Sequence, residues 1–321
     1  MKITNLLSGG IITNYYCSSK CKHCLYNCSQ NWSPNYIDSK TTENIMTTLK
    51  NLNCNMVHIG GGEPFLNKEK LLDIVKIAKN LNMDLEYVET NSSWYDEKTT
   101  PSFLDKLKEN GLNKILISIS PFHNEYIPFY KVKSLINACK NSEIEVFPWV
   151  YDFFDDINYF DDTKPHSLQE YFDKYGNDYL EKIPSRYWIA MRSRAATTFS
   201  NVFPLKDTDE ILDENVGCNE LLDTSHFHID LDGNYVPGLC SGLAIDYADL
   251  EKELDKDKYP ILNILFSDGI KGLTEFVTEK YNFKLKEKYL NKCHLCYDLR
   301  KELIKKGFQS NDLKPLEHYN D

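Results

Sequence analysis

Short β-branched or aliphatic segments alternate with longer amphipathic segments over roughly the first 195 residues. Apolar runs bounded by turn residues are typical of buried strands, and an apolar period near 3.6 residues is typical of helices. We predict six strands, at residues 11–16, 56–60, 85–90, 114–120, 143–150 and 187–191. Between them we predict helices at residues 41–52, 68–81, 101–110, 131–141 and 167–182. In the second helix, one broad face is filled by Leu71, Leu72, Val75, Ile77 and Ala78.

This strict alternation of strand and helix predicts an α/β fold, because parallel strands need crossover connections that are usually helical. Six strand–helix units fit a partial (β/α)6 TIM-like barrel. In such barrels the chemistry lies at the C-terminal ends of the strands. Polar residues and cysteines that follow the predicted strands are therefore the first candidates for a functional site.

The pattern changes after about residue 200. Residues 201–216 have the composition of an irregular acidic connection, and segments 227–231 and 235–239 flank the turn Asp232-Gly233-Asn234, which predicts a hairpin. Helical patterns resume at residues 270–281 and 294–306. We predict two domains, the barrel at residues 1–200 and a small cysteine-ligated α+β domain at residues 201–321.

Composition narrows the function class. The chain has 321 residues and a formal net charge of −11, which argues against a nucleic-acid-binding surface. It has no apolar run of the ~20 residues needed to span a bilayer and no signal-peptide pattern, so we expect a cytoplasmic protein without membrane contact. In a reducing compartment, ten cysteines favour metal binding or catalysis over disulfides.

Three cysteines follow the first predicted strand in the spacing CxxxCxxC: Cys17, Cys21 and Cys24. Thiolates are the natural ligands of iron–sulfur clusters, and three of them on one loop can hold three irons of a cube while the fourth iron stays open. A structural zinc site is the alternative, because His23 or Cys28 can supply the fourth ligand that zinc requires.

This motif, at this position, resembles the signature of the radical S-adenosylmethionine (SAM) superfamily. The resemblance implies a [4Fe–4S] cluster on the three cysteines, with the amino and carboxylate groups of SAM on its fourth iron. Reductive cleavage of SAM then yields a 5′-deoxyadenosyl radical that abstracts a substrate hydrogen atom. His23 stands where the family usually has an aromatic residue, which is a departure from its pattern.

A second match follows the second strand, at Gly60-Gly61-Gly62-Glu63-Pro64, which is similar to the GGE motif of the family. By resemblance, Gly61, Gly62 and Glu63 would hold the amino group of the methionine moiety. The family commonly places ribose and carboxylate contacts at the ends of later strands. The corresponding positions here are Thr90, Asn91, Ser118, Ser120 and, after the sixth strand, Arg192 or Arg194.

A second group of cysteines lies beyond the predicted barrel: Cys218, Cys240, Cys293 and Cys296. A CxxC pair with two distant cysteines fits either zinc or an iron–sulfur cluster. The arrangement is similar to the twitch extension of radical SAM enzymes, a shortened SPASM domain, which implies an auxiliary [4Fe–4S] cluster. Cys218 is assigned from its place in the chain alone; without it, the cluster would keep an open iron.

Of the remaining cysteines, we expect Cys54 and Cys139 to be buried small hydrophobic residues. Cys28 lies four residues beyond the cluster motif, where its thiol could donate a hydrogen atom to a substrate radical.

Neither resemblance names a substrate. Radical SAM proteins with such extensions mostly modify ribosomally made peptides or oxidise small molecules. We predict maturation of a peptide by cross-linking, epimerisation or oxidation, with flavodoxin or ferredoxin as reductant. The alternative is a dehydrogenase for a sugar or cyclitol alcohol, and a third interpretation is a non-enzymatic zinc-binding protein.

Overall fold

The computed structural model describes residues 1–214 and 217–320. In this part of the chain, a large sheet has the strand order β5-β4-β3-β2-β1-β7-β8-β9, and β6 pairs with β10 separately. The strands are β1 Gly9–Ile12, β2 Met56–Gly60, β3 Asp84–Thr90, β4 Lys114–Ser118, β5 Glu145–Trp149, β6 Lys206–Asp207, β7 Phe227–Asp230, β8 Asn234–Val236, β9 Ile245–Asp246 and β10 Lys288–Tyr289.

The helices of the described residues lie mainly between these strands and after them. They are α1 Ser39–Asn51, α2 Lys68–Asn80, α3 Thr100–Glu109, α4 Pro121–Asn124, α5 Phe129–Asn141, α6 Phe154–Asn158, α7 Leu168–Tyr175, α8 Tyr179–Arg186, α9 Ser193–Phe199, α10 Thr208–Asp213, α11 Pro260–Ser267, α12 Gly269–Tyr281 and α13 Lys292–Lys305. None of them is long and apolar enough to cross a membrane.

Strands β1 to β5 are parallel to one another. Four of the predicted helices, α1, α2, α3 and α5, lie between successive strands. Helix α2 shows why its segment folds this way. Asn67 caps its N-terminus by accepting from the backbone N–H of Lys70, and its buried face contains Leu71, Val75 and Ala78 as predicted, with Ile74. The mostly parallel α/β sheet confirms the predicted fold class.

The sixth strand of the barrel is not the predicted one. Residues 187–191 form no strand, and Phe227–Asp230 instead pairs in parallel with β1. The reason lies in burial: β7 is buried along its whole length, whereas Trp188 in the predicted segment is 72% exposed. The sheet therefore continues across the boundary that the sequence predicts at residue 200.

The predicted hairpin is present as β7 and β8. The Asp230 carboxylate organises its turn by accepting from the backbone N–H groups of Asp232 and Asn234, and Gly233 takes the left-handed conformation with φ 81°. The segment predicted as irregular, 201–216, contains β6 and α10, and its last two positions lie outside the described residues. The predicted helix at 167–182 is divided into α7 and α8 at Gly176.

Candidate active site

The loop after β1 brings Cys17, Cys21 and Cys24 to one open cavity of about 600 Å³. The cavity lies at the C-terminal ends of β1 to β4, where a barrel places its chemistry. Six residues predicted from the sequence also line it: Cys28, Gly61, Gly62, Thr90, Asn91 and Ser118. Residues from four separate strand ends thus converge on one space.

Arg194 and Asn27 hold the cysteine loop in place. One terminal nitrogen of the Arg194 guanidinium donates to the carbonyl oxygens of Cys21 at 3.0 Å and Cys28 at 3.1 Å. The backbone N–H of Arg194 in turn donates to the side-chain oxygen of Asn27. Arg194, one of the two arginines considered for the SAM carboxylate, is therefore engaged with the backbone of the cluster loop.

The number of thiols on this loop fits an iron–sulfur cluster better than structural zinc. A structural zinc site takes four ligands, whereas Cys17, Cys21 and Cys24 supply three. The group of potential single-ion ligands found among residues 1–214 and 217–320 consists of three histidines rather than of these cysteines. Cluster thiolates bind different irons and so lie farther apart. The three cysteines fit a [4Fe–4S] cluster with one open iron.

Glu63, the acidic residue of the glycine motif, lies behind the cavity wall between β2 and β3. It is fully buried, and its carboxylate accepts from Thr90 Oγ1 at 2.9 Å and from the backbone N–H groups of Asn91 at 2.7 Å and Phe65 at 3.2 Å. It is not among the residues that line the cavity. Burial raises the pKa of Glu63 to about 7, although these hydrogen bonds oppose the rise. In this structure the side chain ties the end of β2 to the end of β3.

The two glycines of the same motif are required by close packing. A Cβ on Gly62 would lie 2.1 Å from the carbonyl oxygen of Tyr16. Gly61 has φ 146°, and a Cβ there would lie 2.7 Å from the carbonyl oxygen of Asn14. The backbone N–H of Gly62 donates to the same carbonyl at 2.6 Å. The glycine turn therefore lies directly against the start of the cysteine loop.

Arg192, predicted to contact SAM, lies instead at the second group of cysteines. Its guanidinium donates to the Gly238 carbonyl at 2.7 Å and lies 3.5 Å from the sulfur of Cys240. Residues 187–190 line the main cavity without forming a strand, and the chain beyond them carries Arg192 towards the β7–β8 hairpin.

The second group of cysteines comes from three separate parts of the chain. Cys218, Cys240, Cys293 and Cys296 line one small cavity together with Arg192 and Arg300. Cys293 and Cys296 lie in the first turns of α13, whose N-terminus is capped by Asn291. Burial raises the pKa of the Cys218 thiol to about 12 and that of Cys240 to about 11, and the nearby cations Lys292 and Arg192 oppose these rises.

Four thiols and two guanidinium groups fit a fully ligated, negatively charged iron–sulfur cluster. Arg300 is almost completely buried and donates to the Ser241 carbonyl and to Tyr319 Oη, both at 2.9 Å. A buried cation needs an anionic neighbour, and four thiolates supply one. Cys218, for which the sequence offers only a place in the chain, shares this cavity with the other three.

The other cysteines differ in their surroundings. Cys54 and Cys139 are fully buried in the core, as predicted. Cys28 is buried and lines the main cavity. A side-chain hydrogen bond between Cys28 and Cys24 is the largest cause that lowers the pKa of the Cys24 thiol, to about 6. Cys28 thus lies beside a predicted cluster ligand, and its role as a hydrogen-atom donor stays a prediction.

Sequence reasoning missed a histidine group in the wall of the same cavity, formed by His58, His226 and His228. Burial lowers the pKa of His58 to about 3 and also lowers the pKa values of the other two. The spacing His226-Phe227-His228 was an available signal, because residues two apart in an extended segment lie on the same face.

One protein-family model covers both the cysteine loop and the glycine turn. Residues 11–147 match the model of the radical SAM superfamily, while no curated protein matches the chain. Similar solved structures include native anSMEcpe with bound AdoMet, at 16% identity and a TM-score of 0.46, covering 94% of this chain and 98% of that chain. Another is BtrN in complex with AdoMet and 2-DOIA, at 15% identity and a TM-score of 0.47, covering 85% and 89%.

A further similar structure is Streptococcus suis SuiB bound to S-adenosylmethionine, at 15% identity and a TM-score of 0.37, covering 85% of this chain and 68% of that chain. These likenesses are distant, and the assignment depends on the matched domain and on the cysteine loop, the glycine turn and the cavity between them. Residues 11–147, which contain the cysteine loop and the glycine turn, therefore form a radical SAM domain.

Proposed function

We propose that the enzyme matures a peptide, taking a hydrogen atom from a residue that enters the main cavity. The [4Fe–4S] cluster and SAM, when bound, supply the 5′-deoxyadenosyl radical for this step. The chain's own residues hold these groups, position the peptide and exclude water. The observation that carries the proposal is a row of aromatic side chains leading from solvent to the cysteine loop.

The row begins at the edge strand β5 and ends at the cysteine loop. The ring centroids of Phe147 and Trp149 are 5.7 Å apart, those of Trp149 and Tyr187 are 6.1 Å apart, and those of Tyr187 and His23 are 5.6 Å apart. At the outer end, Trp149 is 40% exposed, and Trp188 beside Tyr187 is 72% exposed. Trp149, Tyr187, Trp188 and His23 all line the cavity.

Exposed aromatic residues at a cavity mouth favour a substrate that extends beyond the cavity. Contiguous exposed apolar surface usually marks a site for a protein or peptide, whereas a small polar substrate is usually enclosed. A peptide could place one residue near the cysteine loop and lay its neighbours on Trp149 and Trp188.

Polar groups inside the cavity either have an unused hydrogen-bonding atom for a ligand or contact a cluster sulfur. The Nδ1 atom of His23 is buried and has no hydrogen-bond partner, while its ring stacks on Phe122 at 4.8 Å. Asn91 Nδ2 lies 3.5 Å from the sulfur of Cys17, and the backbone N–H of Ser19 lies 3.4 Å from the same atom. These donors would lower the charge on a cluster thiolate.

The test uses anaerobically reconstituted enzyme with SAM and dithionite, or with flavodoxin or ferredoxin, which we propose as the physiological reductant. Short peptides encoded beside the gene are compared with aminosugars and cyclitols as substrates. We expect a peptide to stimulate 5′-deoxyadenosine formation and to lose two hydrogens by mass, or to gain one deuterium from D2O if it is epimerised. Stimulation by a small alcohol alone would overturn the proposal.

A second candidate function is oxidation of a small alcohol, and Glu89 favours it. Glu89 lines the cavity with its side chain 38% exposed, and its partial burial raises its pKa. A carboxylate with a pKa near the working pH is suited to accept the hydroxyl proton of a substrate. The same comparison of substrates distinguishes the two candidates.

A further inference from the structure

Three histidines meet in the cavity wall because a glycine lies between them. Strand β1 is flanked by β2 on one side and by β7 on the other, and Gly10 is the register partner of both His58 and His228. Register partners in a sheet point to the same face. Since Gly10 has no side chain, the two imidazoles extend over it, and a Cβ at Gly10 would lie 2.2 Å from His58 Nε2.

The imidazole nitrogens face one another at short range. His58 Nε2 lies 2.9 Å from His228 Nε2, and His226 stacks on His58 with ring centroids 5.2 Å apart and an angle of 6° between the rings. One ligand atom from each of the three histidines lies within 4.8 Å of the other two. Metal–nitrogen bonds of about 2.0–2.1 Å place neighbouring ligand nitrogens about 3.0–3.4 Å apart. His58 and His228 are already near that spacing, and the ring of His226 would turn towards them on binding an ion.

The hydrogen bonds of the group fix the side of each ring that faces its neighbours. The Nδ1 atom of His58 is buried and has no partner, whereas its Nε2 atom faces His228 and Glu89, so Nε2 is the ligand atom that His58 offers. His228 Nδ1, by contrast, lies 2.8 Å from Tyr26 Oη. A histidine that binds a metal through one nitrogen usually gives its other N–H to such a partner, which fixes the ring.

We propose that His58, His226 and His228 form a binding site for a divalent metal ion of the zinc class in the wall of the active-site cavity. Neutral imidazole suits zinc, copper, iron and nickel. Glu89 Oε1 lies 3.9 Å from His58 Nε2 and can complete a three-nitrogen, one-oxygen set. His226, His228 and Glu89 all line the main cavity, so an open coordination position would face a molecule bound there.

The site differs from both cysteine groups in its ligand chemistry. It offers nitrogen and oxygen rather than sulfur, and its ligands are close enough together for a single ion. An ion here would bind an oxygen donor of the substrate, such as a carbonyl or carboxylate, and hold it beside the cysteine loop, to which Tyr26 connects the site.

The test measures zinc in holoenzyme whose two iron–sulfur clusters are fully reconstituted. After treatment with a mild chelator, the enzyme is titrated with ZnCl2, and bound zinc is counted by mass spectrometry. We expect one zinc per chain above background, and zinc K-edge X-ray absorption should show only nitrogen and oxygen ligands at about 2.0–2.1 Å.

His226→Gln is the main variant because His226 is only half-buried and its loss should leave the fold intact. We expect its zinc dissociation constant to rise more than ~100-fold, beyond the 10–100-fold typical for loss of an outer partner. We expect the same rise in the zinc dissociation constant for His58→Gln. His123→Gln is the matched control, since His123 lines the same cavity outside the group; its zinc affinity should equal that of the wild type.

Three results would overturn the proposal: no zinc bound by the reconstituted enzyme, zinc with sulfur ligands, or unchanged affinity in His226→Gln. Circular dichroism and iron content of each variant show whether the fold and both clusters are retained. Sulfur ligation would indicate zinc in an empty cluster site, and an unchanged dissociation constant would indicate that the histidines form only a hydrogen-bonded pair with a stacked neighbour.

Discussion

The two groups of cysteines differ in how many ligands they offer and in what surrounds them. Cys17, Cys21 and Cys24 come from one loop and border an open cavity of about 600 Å³. Cys218, Cys240, Cys293 and Cys296 come from three parts of the chain and border a small cavity beside two arginines. An open iron next to a large cavity suits chemistry on a bound molecule, whereas an enclosed, fully ligated cluster suits electron transfer or structural support.

The largest effect expected from this difference is the loss of SAM cleavage. Replacing Cys17, Cys21 and Cys24 with Ala should abolish 5′-deoxyadenosine formation, because no open iron remains, and should leave about four irons per chain in the second group. Chromatography of the reaction with SAM and dithionite, together with iron analysis, measures both. Cys139→Ala, which removes a buried thiol that lines neither cavity, is the control and should keep all iron.

Removing ligands of the second group tests the other side of the comparison. Replacing Cys293 and Cys296 with Ala should remove about half the iron but preserve 5′-deoxyadenosine formation in the absence of substrate. If this variant keeps its full iron content, the second group holds no cluster. A variant with Cys218→Ala alone then shows whether that sulfur is the fourth ligand.

Replacing Arg192, the cation beside the second group, should have an effect of intermediate size, on the reduction potential of the second cluster. Arg192→Gln removes a positive charge 3.5 Å from the sulfur of Cys240. Since reduction adds negative charge, the potential of the second cluster should fall by something on the order of 50 mV, and that of the first should stay unchanged. Redox titration followed by electron paramagnetic resonance measures both potentials, with Arg192→Lys as the charge-preserving control.

The same variant distinguishes the two positions proposed for Arg192. If the guanidinium held the SAM carboxylate, as the motif position implies, Arg192→Gln would raise the dissociation constant of SAM at least ~10-fold, since a charged pair would be lost. Equilibrium binding of SAM should instead show a value near that of the wild type.

The smallest effect concerns Glu63, the carboxylate between β2 and β3. Its pKa is about 7 in the folded protein and returns to about 4.3 on unfolding, so the native state binds more protons between these values. The free energy of unfolding contributed by this group is therefore greatest below about pH 4.3 and is lost as the pH rises to about 7. In Glu63→Gln the difference between urea midpoints at pH 5 and pH 8 should shrink.

Binding of SAM to the same variant tests the role that the motif implies. The Glu63 carboxylate already accepts from Phe65, Thr90 and Asn91 and does not line the cavity, so Glu63→Gln should change the SAM dissociation constant only a few-fold. A loss exceeding ~10-fold would mean that the carboxylate leaves these partners to receive the ammonium group.

The parts of the site that could be predicted from the sequence are encoded locally. The spacing of Cys17, Cys21 and Cys24 within one loop, and the glycines after β2, need only a strand followed by a turn to reach the cavity. The hairpin around Gly233 was predictable for the same reason. Five of the strands and the α/β class followed from apolar periodicity.

The parts that could not be predicted depend on distant pairings. Arg192 reaches the second group through Gly238 and Cys240, which lie 46 and 48 residues farther along the chain. The histidine group needs the registers of β1 with both β2 and β7 and the absence of a side chain at Gly10. No local pattern contains that information.

Strand β7 is far from its partner β1 along the chain, and this separation has a consequence during synthesis of the protein. On the ribosome, β1 emerges more than two hundred residues before the partner that covers its second edge. Until then its unpaired backbone groups and its buried Ile11 and Ile12 are available to other chains, which is a recognised route to aggregation. A fragment ending near residue 200 would keep this edge open permanently, so we expect it to aggregate where the longer chain remains dispersed.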